Sequence, residues 1–387
     1  MLYDYLVIGG GMAGVSSADA LASRATVVLL ELEPHLGYHS TARSAALFAP
    51  AYGSMAFRAL SRASEAFLES PPEDFFPASL LRPRGALLLA RADQLESFEA
   101  EAQSVAHAGV ELQRLSAEEA RHRVPCLRAG YLAAAAYEPQ VRDIDVEGLF
   151  RGFVRRAKQA GVMFHTSAQI SGVARDRGVW HLTVGDQTLS ARAVVNAAGA
   201  WCDQVAQRFG ASPLGLRVLR RCAAIIDAPA GVAVAQWPVI FDVDDQFYLK
   251  PEAGRLLISP ADEEPVAPGD AHPEDLAIAV AVDRLQRALE IEVPRVHRSW
   301  AGLRTFAPDR DPVIGYDAQV EGFFWCAGQG GYGIQSAPAF AQLAAAILAD
   351  EPLPPALRGS VITAASLSPR RFSATAAGTT QAAASSL

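Results

Sequence analysis

The feature that most constrains this chain is a glycine-rich turn between an apolar strand and a helix near the N-terminus. Residues 5–14 read Tyr-Leu-Val-Ile-Gly-Gly-Gly-Met-Ala-Gly, which places glycines at positions 9, 11 and 14. The first glycine permits the tight turn, the second lets the backbone approach a pyrophosphate, and the third lets helix and strand pack closely. The start of the helix offers free N–H groups and the positive end of its dipole to the phosphates.

A second apolar strand supports this interpretation because it ends in an acid. Residues 26–30 are Thr-Val-Val-Leu-Leu, and Glu31 follows the glycine turn by about twenty residues, where a carboxylate would hold ribose hydroxyls. A glycine-rich turn without a ligand is the alternative, but it does not account for strand, helix and acid in this order. The residues predicted to bind a dinucleotide here are Gly9, Gly11, Met12, Ala13, Gly14 and Glu31.

A second cofactor-binding segment is predicted just beyond this unit. Ser40 and Thr41 are suitable N-caps for a helix that begins near Ala42. Such a helix start would add N–H groups for a cofactor, and Arg43 would add a fixed positive charge. The same signals are also compatible with an ordinary capped surface helix.

Composition excludes several classes of protein. With 387 residues, half of them hydrophobic, the chain is long enough for two lobes that share one ligand. A net charge of −8 without a basic stripe argues against a nucleic-acid partner. The four cysteines lie far apart without metal-ligand spacing, so neither a metal site nor a disulfide framework is expected and a reducing compartment fits.

The termini favour a cytoplasmic protein with at most peripheral membrane contact. The first core strand begins almost at Met1, so no signal peptide is expected before it. The apolar stretch 337–348 is too short to span a bilayer and contains Gln342. In the segment after Pro369, residues 373–387 are small and polar, which predicts a disordered tail.

Two further strand ends are built from small residues. One strand ends in Asn-Ala-Ala-Gly at 196–199, and another leads into the glycine-rich run 328–333. Small residues at a strand end let the backbone pass close to a bound cofactor. Helices are predicted at residues 12–23, 55–69, 92–108, 116–123, 146–160, 202–209 and 273–289, and after the second glycine run up to about residue 349.

The motif ending at Glu31, the strand end 196–199 and the run 328–333 together resemble the D-amino-acid oxidase (DAO) superfamily of flavoproteins. Within it the chain is most similar to the bacterial FAD-dependent D-arginine dehydrogenases. The stretches that carry this likeness are 37–46, 51–53, 195–203, 247–251, 300–304 and 329–335.

The resemblance implies an α/β, two-lobed (α+β) fold, in which a Rossmann-like FAD-binding domain is joined to a smaller mixed-sheet substrate domain. FAD is expected to be held non-covalently. The FAD-binding domain is predicted in residues 1–80, 141–215 and 296–368, the substrate domain in 81–140 and 216–295, and the disordered tail in 369–387.

The resemblance also implies oxidation of a D-amino acid by hydride transfer from Cα to flavin N5, followed by hydrolysis to a 2-oxo acid and ammonia. Arg221 and Arg304 would hold the substrate carboxylate, since the planar guanidinium makes paired bonds to a carboxylate. Tyr52, on a mobile loop, and Tyr248 would add hydroxyl contacts, and Gln335 would lie near the substrate amine. The remaining residues assigned to the cofactor are Ser40, Thr41, Arg43, Ser44, Ala45, Ala198, Gly199, Gly330, Gly331, Tyr332, Gly333 and Ile334.

One position departs from the D-arginine dehydrogenase pattern. Ala86 stands where that pattern has a glutamate facing a cationic side chain, and the stretch 47–50, Leu-Phe-Ala-Pro, is more apolar than the pattern. An uncompensated guanidinium in a dry pocket is costly. Apolar D-amino acids are therefore expected to be preferred, although a replacement acid is available at Asp244, Asp245, Glu252 or Glu263.

Three alternatives remain open from the sequence. The first is an oxidase of the same superfamily that acts on glycine, sarcosine or another secondary amine with O₂. The second is an NAD-dependent dehydrogenase, and the third is a non-enzymatic flavin-binding subunit. For the favoured hypothesis we expect a D-amino acid as the small-molecule substrate, a quinone-like or dye electron acceptor that the sequence does not identify, and a monomer or weak dimer.

Overall fold

A computed structural model describes residues 1–372 of the chain. Its strands in chain order are β1 (Leu2–Ile8), β2 (Val27–Leu30), β3 (Leu47–Phe48), β4 (Leu81–Pro83), β5 (Ala86–Ala90), β6 (Gln113–Leu115), β7 (Ala134–Glu138), β8 (Arg142–Ile144), β9 (Met163–His165), β10 (Ile170–Asp176), β11 (Val179–Val184), β12 (Gln187–Asn196), β13 (Arg217–Ile226), β14 (Val239–Asp242), β15 (Tyr248–Glu252), β16 (Arg255–Ser259), β17 (Glu264–Pro265), β18 (Val296–Phe306), β19 (Val313–Tyr316) and β20 (Phe323–Ala327). Its α-helices are α1 (Met12–Ala22), α2 (Met55–Glu69), α3 (Leu95–His107), α4 (Ala117–Arg123), α5 (Val146–Gln159), α6 (Cys202–Arg208), α7 (Asp275–Ala288) and α8 (Ala337–Leu348).

The first sheet is built around the parallel strands β20, β12, β1, β2 and β9, in that spatial order. Strand β1 is central, and its Val7 pairs with Val195 on one side and Leu29 on the other. Strands β2 and β20 and the ends of β1 and β12 are buried, which explains why nearly all of their residues are apolar. Helix α1 packs against α5 and α8 on one face of the sheet. An antiparallel extension through β11 and β10 completes the edge.

The second sheet has the order β17-β13-β16-β15-β14-β5-β7-β6, and β18 pairs along β13. Alternate residues of a strand share a face, and residues directly opposite each other on neighbouring strands do too. Arg221 lies opposite Gly302, Leu219 lies opposite Arg304, and Phe241 lies opposite Tyr248. The register therefore carries Arg221 and Arg304 to one face of the sheet, while α7 packs on β13 and β16.

The sheets and helices confirm the predicted α/β class with two sheets of different character. Helices α2 and α5 begin where expected, with Ser54 and Asp145 as N-caps. The predicted helix near Ala42 is wrong, because residues 41–43 form a turn. Strand β18 lies in the range predicted for the FAD-binding domain, yet it pairs with the second sheet. The domain limits themselves stay a prediction.

The C-terminal part differs from the expectation at one point. Pro369–Phe372 form a 3₁₀ helix, and Pro369 is buried, so a disordered tail beginning at residue 369 is wrong for these four residues. The rest of the predicted tail lies outside the described residues. Helix α8 is apolar because it packs against both α1 and α2. Over residues 1–372 none of the helices combines the length and apolarity needed to cross a bilayer.

We expect Gly14→Ala to destabilise the protein strongly, because a Cβ at this position would lie 1.9 Å from the carbonyl oxygen of Gly9. Helix α1 would have to move away from β1, at a cost of roughly 3 kcal/mol. Thermal unfolding measures the effect. The matched control is Gly130→Ala, where an added Cβ meets no atom within 4 Å. Equal melting temperatures for the two variants would contradict the close approach of α1 and β1.

Candidate active site

A cavity of about 540 Å³ lies where the ends of the parallel strands meet the second sheet. Its walls come from the turn after β1, the end of β2, the turn region 37–45, the end of β12, and the run 326–334. Strands β13, β15 and β18 close the other end with Arg221, Tyr248 and Arg304. One continuous site therefore connects the glycine-rich turn with the two arginines.

The glycine-rich turn leaves space and hydrogen-bond donors at one end of the cavity. A Cβ at Gly11 would meet only Thr41 Oγ1, at 3.5 Å, and so would project into the open site. The N–H groups of Gly11 and Ala13 donate to no acceptor within residues 1–372. Unsatisfied donors at a helix N-terminus suit a phosphate. Gly14 is not on the cavity wall, since it serves the contact between α1 and β1.

Glu31 lines the same end of the cavity and is oriented by backbone donors. Its Oε2 accepts from Gly10 N at 2.5 Å, and its Oε1 accepts from Glu33 N at 2.8 Å. A carboxylate has about four acceptor positions. Glu31 is therefore fixed in place and still able to accept hydroxyl groups from a ribose.

The segment 40–43 joins the two sheets instead of forming a helix. Thr41 Oγ1 accepts from Met12 N at 3.0 Å and so caps α1. Ser40 Oγ donates to Leu303 O at 2.7 Å. Arg43 Nη1 donates to the carbonyl oxygens of Ala271 and Ala301, and its Nη2 pairs with Asp270. The guanidinium of Arg43 is thus engaged by protein groups, although the residue lines the cavity.

His39 is a further wall residue, with one ring nitrogen unaccounted for. Its Nε2 lies 2.9 Å from Glu33 Oε1, and its ring centroid lies 4.6 Å from that of Trp201. Nδ1 is buried and has no hydrogen-bond partner among residues 1–372. A buried polar atom without a partner in a cavity wall is explained by a ligand that supplies one. The nucleotide end of the cavity therefore fits a dinucleotide.

The opposite end of the cavity is strongly positive. Arg304 forms no ion pair with a carboxylate anywhere in the described chain. Its guanidinium lies close to the backbone of Gly331, where an added Cβ would be 2.9 Å from Arg304 Cζ. Burial disfavours the charged form of Arg304 and by itself would lower its pKa. Tyr52 and Tyr248 together have the larger effect, so the pKa of the guanidinium is raised. Burial and the Arg304 charge lower the pKa of Arg221. Two neighbouring guanidinium groups, one of them unpaired, form a site for an anion.

Both predicted tyrosines lie close to this positive end. Tyr248 is 9% exposed, lines the cavity and has its ring centroid 6.0 Å from that of Phe241. Tyr52 is 38% exposed and contacts Tyr332, with ring centroids 5.0 Å apart. Tyr52 therefore lies close enough to Arg304 to raise its pKa without lining the cavity, whereas Tyr248 belongs to the wall.

Besides Gly14 and Tyr52, two further predicted site residues are not on the cavity wall. Gln335 is 3% exposed and does not line the cavity. Its Oε1 accepts a hydrogen bond from Ala49 N at 2.9 Å, which fixes the loop that precedes Tyr52. The ring of Tyr332 packs against Phe57, with centroids 4.4 Å apart, in the core of the first lobe. The other predicted small residues do line the cavity: Ser44, Ala45, Ala198, Gly199, Gly330, Gly331, Gly333 and Ile334.

Ala86 lies in an apolar cluster with Ala49, Val239 and Phe241, next to an acid that sequence reasoning missed. The acid is Glu138, which lies directly opposite Ala86 on β7. Its Oε1 is buried without a hydrogen-bond partner among residues 1–372, and burial, helped by Glu101, raises its pKa to about 7. Only the strand register brings the two residues together, so no local sequence signal points to this pair.

The acids named from the sequence as replacements have other positions. Glu263 pairs with Arg310, and Glu252 pairs with Lys250 at 3.2 Å. Asp244 is exposed. Asp245 is also exposed, although it lies within electrostatic range of Arg221 and Arg304.

Comparison with known proteins relates this chain to flavin enzymes. A family model described as FAD dependent oxidoreductase (DAO) matches residues 4–347. The chain is 25% identical to human mitochondrial dimethylglycine dehydrogenase over 85% of its own length but only 40% of that protein. It is 24% identical to glycine oxidase of Bacillus licheniformis, over 91% of this chain and 94% of that enzyme.

The fold has counterparts among solved structures. The crystal structure of glycine oxidase from Geobacillus kaustophilus superposes with a TM-score of 0.81, covering 95% of this chain and 98% of that one at 23% identity. A likeness at this level of identity establishes the fold. The two-lobed α/β architecture predicted from the sequence is confirmed.

We expect Glu138→Gln to raise the melting temperature more at pH 8 than at pH 5. In the unfolded chain Glu138 ionises near its ordinary pKa of 4.5, whereas the folded protein keeps the proton up to about pH 7. Between these two pKa values only the unfolded state is stabilised by ionisation of Glu138. The carboxyl therefore lowers the free energy of unfolding as pH rises through this range. Thermal unfolding of both proteins across pH 4–8 measures the difference.

The control for this prediction is Glu99→Gln, on an exposed carboxylate whose pKa is lowered by its hydrogen bond to Arg114. Its substitution should cost stability at neutral pH, the opposite sign. A melting-temperature difference for Glu138→Gln that does not change with pH would contradict the prediction.

Proposed function

The chain belongs to the DAO family of FAD-dependent oxidoreductases, and we propose that it oxidises D-amino acids to 2-oxo acids and ammonia as a dehydrogenase. FAD is its cofactor, and when bound it accepts the hydride that leaves the substrate Cα. The protein supplies binding, orientation and electrostatics. The observation that carries the proposal is that Arg304, which has no carboxylate partner among residues 1–372, lies beside Arg221 in a cavity that begins at a dinucleotide turn.

Residues at the nucleotide end would hold the cofactor. The N–H groups of Gly11 and Ala13 would donate to the pyrophosphate, and Glu31 would accept from ribose hydroxyls. Thr41 keeps the first turn of α1 in place through its bond to Met12 N. Arg43 would act on the cofactor indirectly, because its donors already join the segment 40–43 to the second sheet.

The carboxylate of the substrate would bind at the opposite end. An arginine that is desolvated and unpaired gains most from a carboxylate, because the two make charge-assisted paired bonds. Tyr248 would orient the substrate through its hydroxyl, and Tyr52 would close the site from solvent. His39 lines the nucleotide end, so the proton of the substrate amine would leave to water, not to an imidazole.

The preference for D-amino acids with apolar side chains rests on two supports. The likeness to D-arginine dehydrogenases supports the configuration, and it depends on the sequence stretches alone. The cluster of Ala49, Ala86 and Phe241 next to Tyr248 supports an apolar side chain. Glu138 adjoins this cluster, but a pKa of about 7 keeps much of its charge suppressed at neutral pH.

We expect Arg304→Ala to raise KM for D-amino acids by about a hundredfold, while the purified protein stays yellow. The loss of a charge-assisted paired contact accounts for an effect of this size. Steady-state kinetics with an artificial acceptor and the flavin spectrum are the measurements. Arg217→Ala, at an exposed position on β13, is the matched control. A colourless Arg304→Ala protein would assign the residue to the cofactor instead.

The substrate range is tested by mixing the protein anaerobically with single amino acids and following the flavin absorbance. D-methionine, D-leucine and D-phenylalanine should bleach the flavin, and their L-forms should not. D-arginine should react with a lower kcat/KM, because Ala86 provides no acid. A higher kcat/KM for D-arginine than for every neutral D-amino acid would overturn the side-chain preference.

A second candidate is an oxidase acting on glycine, sarcosine or another secondary amine with O₂. The similarity to glycine oxidase over nearly the full length of both chains favours it. The same experiment separates the two. Bleaching by glycine or sarcosine but by no larger D-amino acid, with rapid peroxide formation in air, would support the oxidase.

A further inference from the structure

A carboxylate, on the exposed residue Glu263, lies beside the positive end of the cavity but not on its wall. Arg221 Nη2 lies 3.5 Å from Glu263 Oε1, and Arg221 Nε donates to Asp262 O at 2.6 Å. Arg221 is therefore within ion-pair distance of a carboxylate of the protein itself, whereas Arg304 has no carboxylate within that distance in the described chain. A carboxylate that belongs to the protein and lies so close to an anion site competes with any anion that binds there.

Glu263 is held in place by Arg310. Arg310 Nη1 donates to Glu263 Oε2 at 3.1 Å, and Nη2 donates to Oε1 at 2.9 Å, which is a paired contact. The guanidinium is itself fixed, because its Cζ lies 3.9 Å from the centroid of the Phe306 ring. Such a planar stack and fork restrict the orientation of both partners.

The electrostatic balance depends on this contact. Burial opposes the charge on Glu263, but Arg310, and after it Arg221 and Arg304, lower the pKa of the carboxyl. Glu263 is thus charged and attracted to all three arginines. With Arg310 removed, the charge of Glu263 is balanced only by the two arginines of the cavity, and both become weaker sites for another anion.

We propose that Arg310 is a positioning residue that keeps Glu263 from neutralising the carboxylate site formed by Arg221 and Arg304. The inference rests on the proposed function in one respect, that these two arginines hold the substrate carboxylate. Arg310 itself does not line the cavity. Its effect on the substrate passes through Glu263.

The test measures binding of 4-methylpentanoate, which is leucine without its amino group and so reports the carboxylate site without turnover. The holoenzyme is titrated with it, and the change in the flavin spectrum gives Kd. Arg310→Met should raise Kd about fivefold, the upper end of what one ion contact between partly exposed side chains contributes. KM for D-leucine should rise in parallel, while kcat changes little.

The double variant Arg310→Met/Glu263→Gln distinguishes this role from a structural one. With the competing charge removed, Kd should return to within about twofold of the unmodified protein. Arg310→Lys, which keeps the charge, should lie between. A double variant as weak as Arg310→Met would show that Arg310 does not act through Glu263, and would overturn the proposal.

Two further variants complete the design. Arg114→Met removes another paired arginine–carboxylate contact, to Glu99, far from the cavity, and should leave Kd unchanged. If Arg310→Met does not fold, Glu263→Gln alone decides, since it should bind the carboxylate at least as tightly as the unmodified protein. Weaker binding by Glu263→Gln would contradict the proposal.

The outcome also separates this proposal from the proposed function. If the unmodified protein binds no carboxylate, the substrate assignment fails and the role of Arg310 fails with it. If the unmodified protein binds 4-methylpentanoate and Arg310→Met binds it equally well, only the role of Arg310 is wrong.

Discussion

The contact between α1 and β1 is the constraint on which the rest of the structure depends. Gly14 lies so close to the carbonyl oxygen of Gly9 that no side chain fits between them. This contact fixes the N-terminus of α1 over the end of the central strand, where unsatisfied N–H groups face the cavity. Thr41 then caps Met12 N from a segment that also reaches the second sheet. The cofactor site and the joint between the lobes thus both depend on the position of the first turn of α1.

That joint combines apolar packing with polar contacts, since Leu219 and Phe306 of the second sheet lie in one hydrophobic cluster with Val195 of the first. Ser40 donates to Leu303 O, Arg43 donates to Ala301 O, and Trp300 Nε1 donates to Arg43 O at 3.0 Å. Main-chain acceptors on β18 are fixed by the sheet, so these bonds define where the segment 40–43 lies. The cavity remains open beside them, with the nucleotide end on one sheet and the arginines on the other.

Charge is distributed unevenly along this cavity, and the uneven distribution gives each end its chemistry. Glu31 and the free amides of α1 suit a nucleotide, whereas Arg304 and Arg221 suit a carboxylate. Tyrosine hydroxyls favour the charged form of Arg304. The charge of Arg304, together with burial, disfavours the charged form of Arg221. An enzyme that oxidises an amino acid needs both ends, because the substrate must be held by its carboxylate while its Cα faces the cofactor.

The sequence by itself determined the features that depend on neighbours in the chain. The strand–turn–helix at Gly9–Gly14, the acid at Glu31 and the helix starts at Met55 and Val146 follow from local spacing and backbone chemistry. The two arginines were indicated by family likeness, since nothing local distinguishes them from surface ion pairs. Only the tertiary structure decided which groups meet across the fold. Thr41 caps α1 instead of starting a helix, Gln335 holds the loop at Ala49, and Glu138 adjoins Ala86. The physical reason is that strand register and lobe packing join residues far apart in the chain, and local patterns carry no information about those distances.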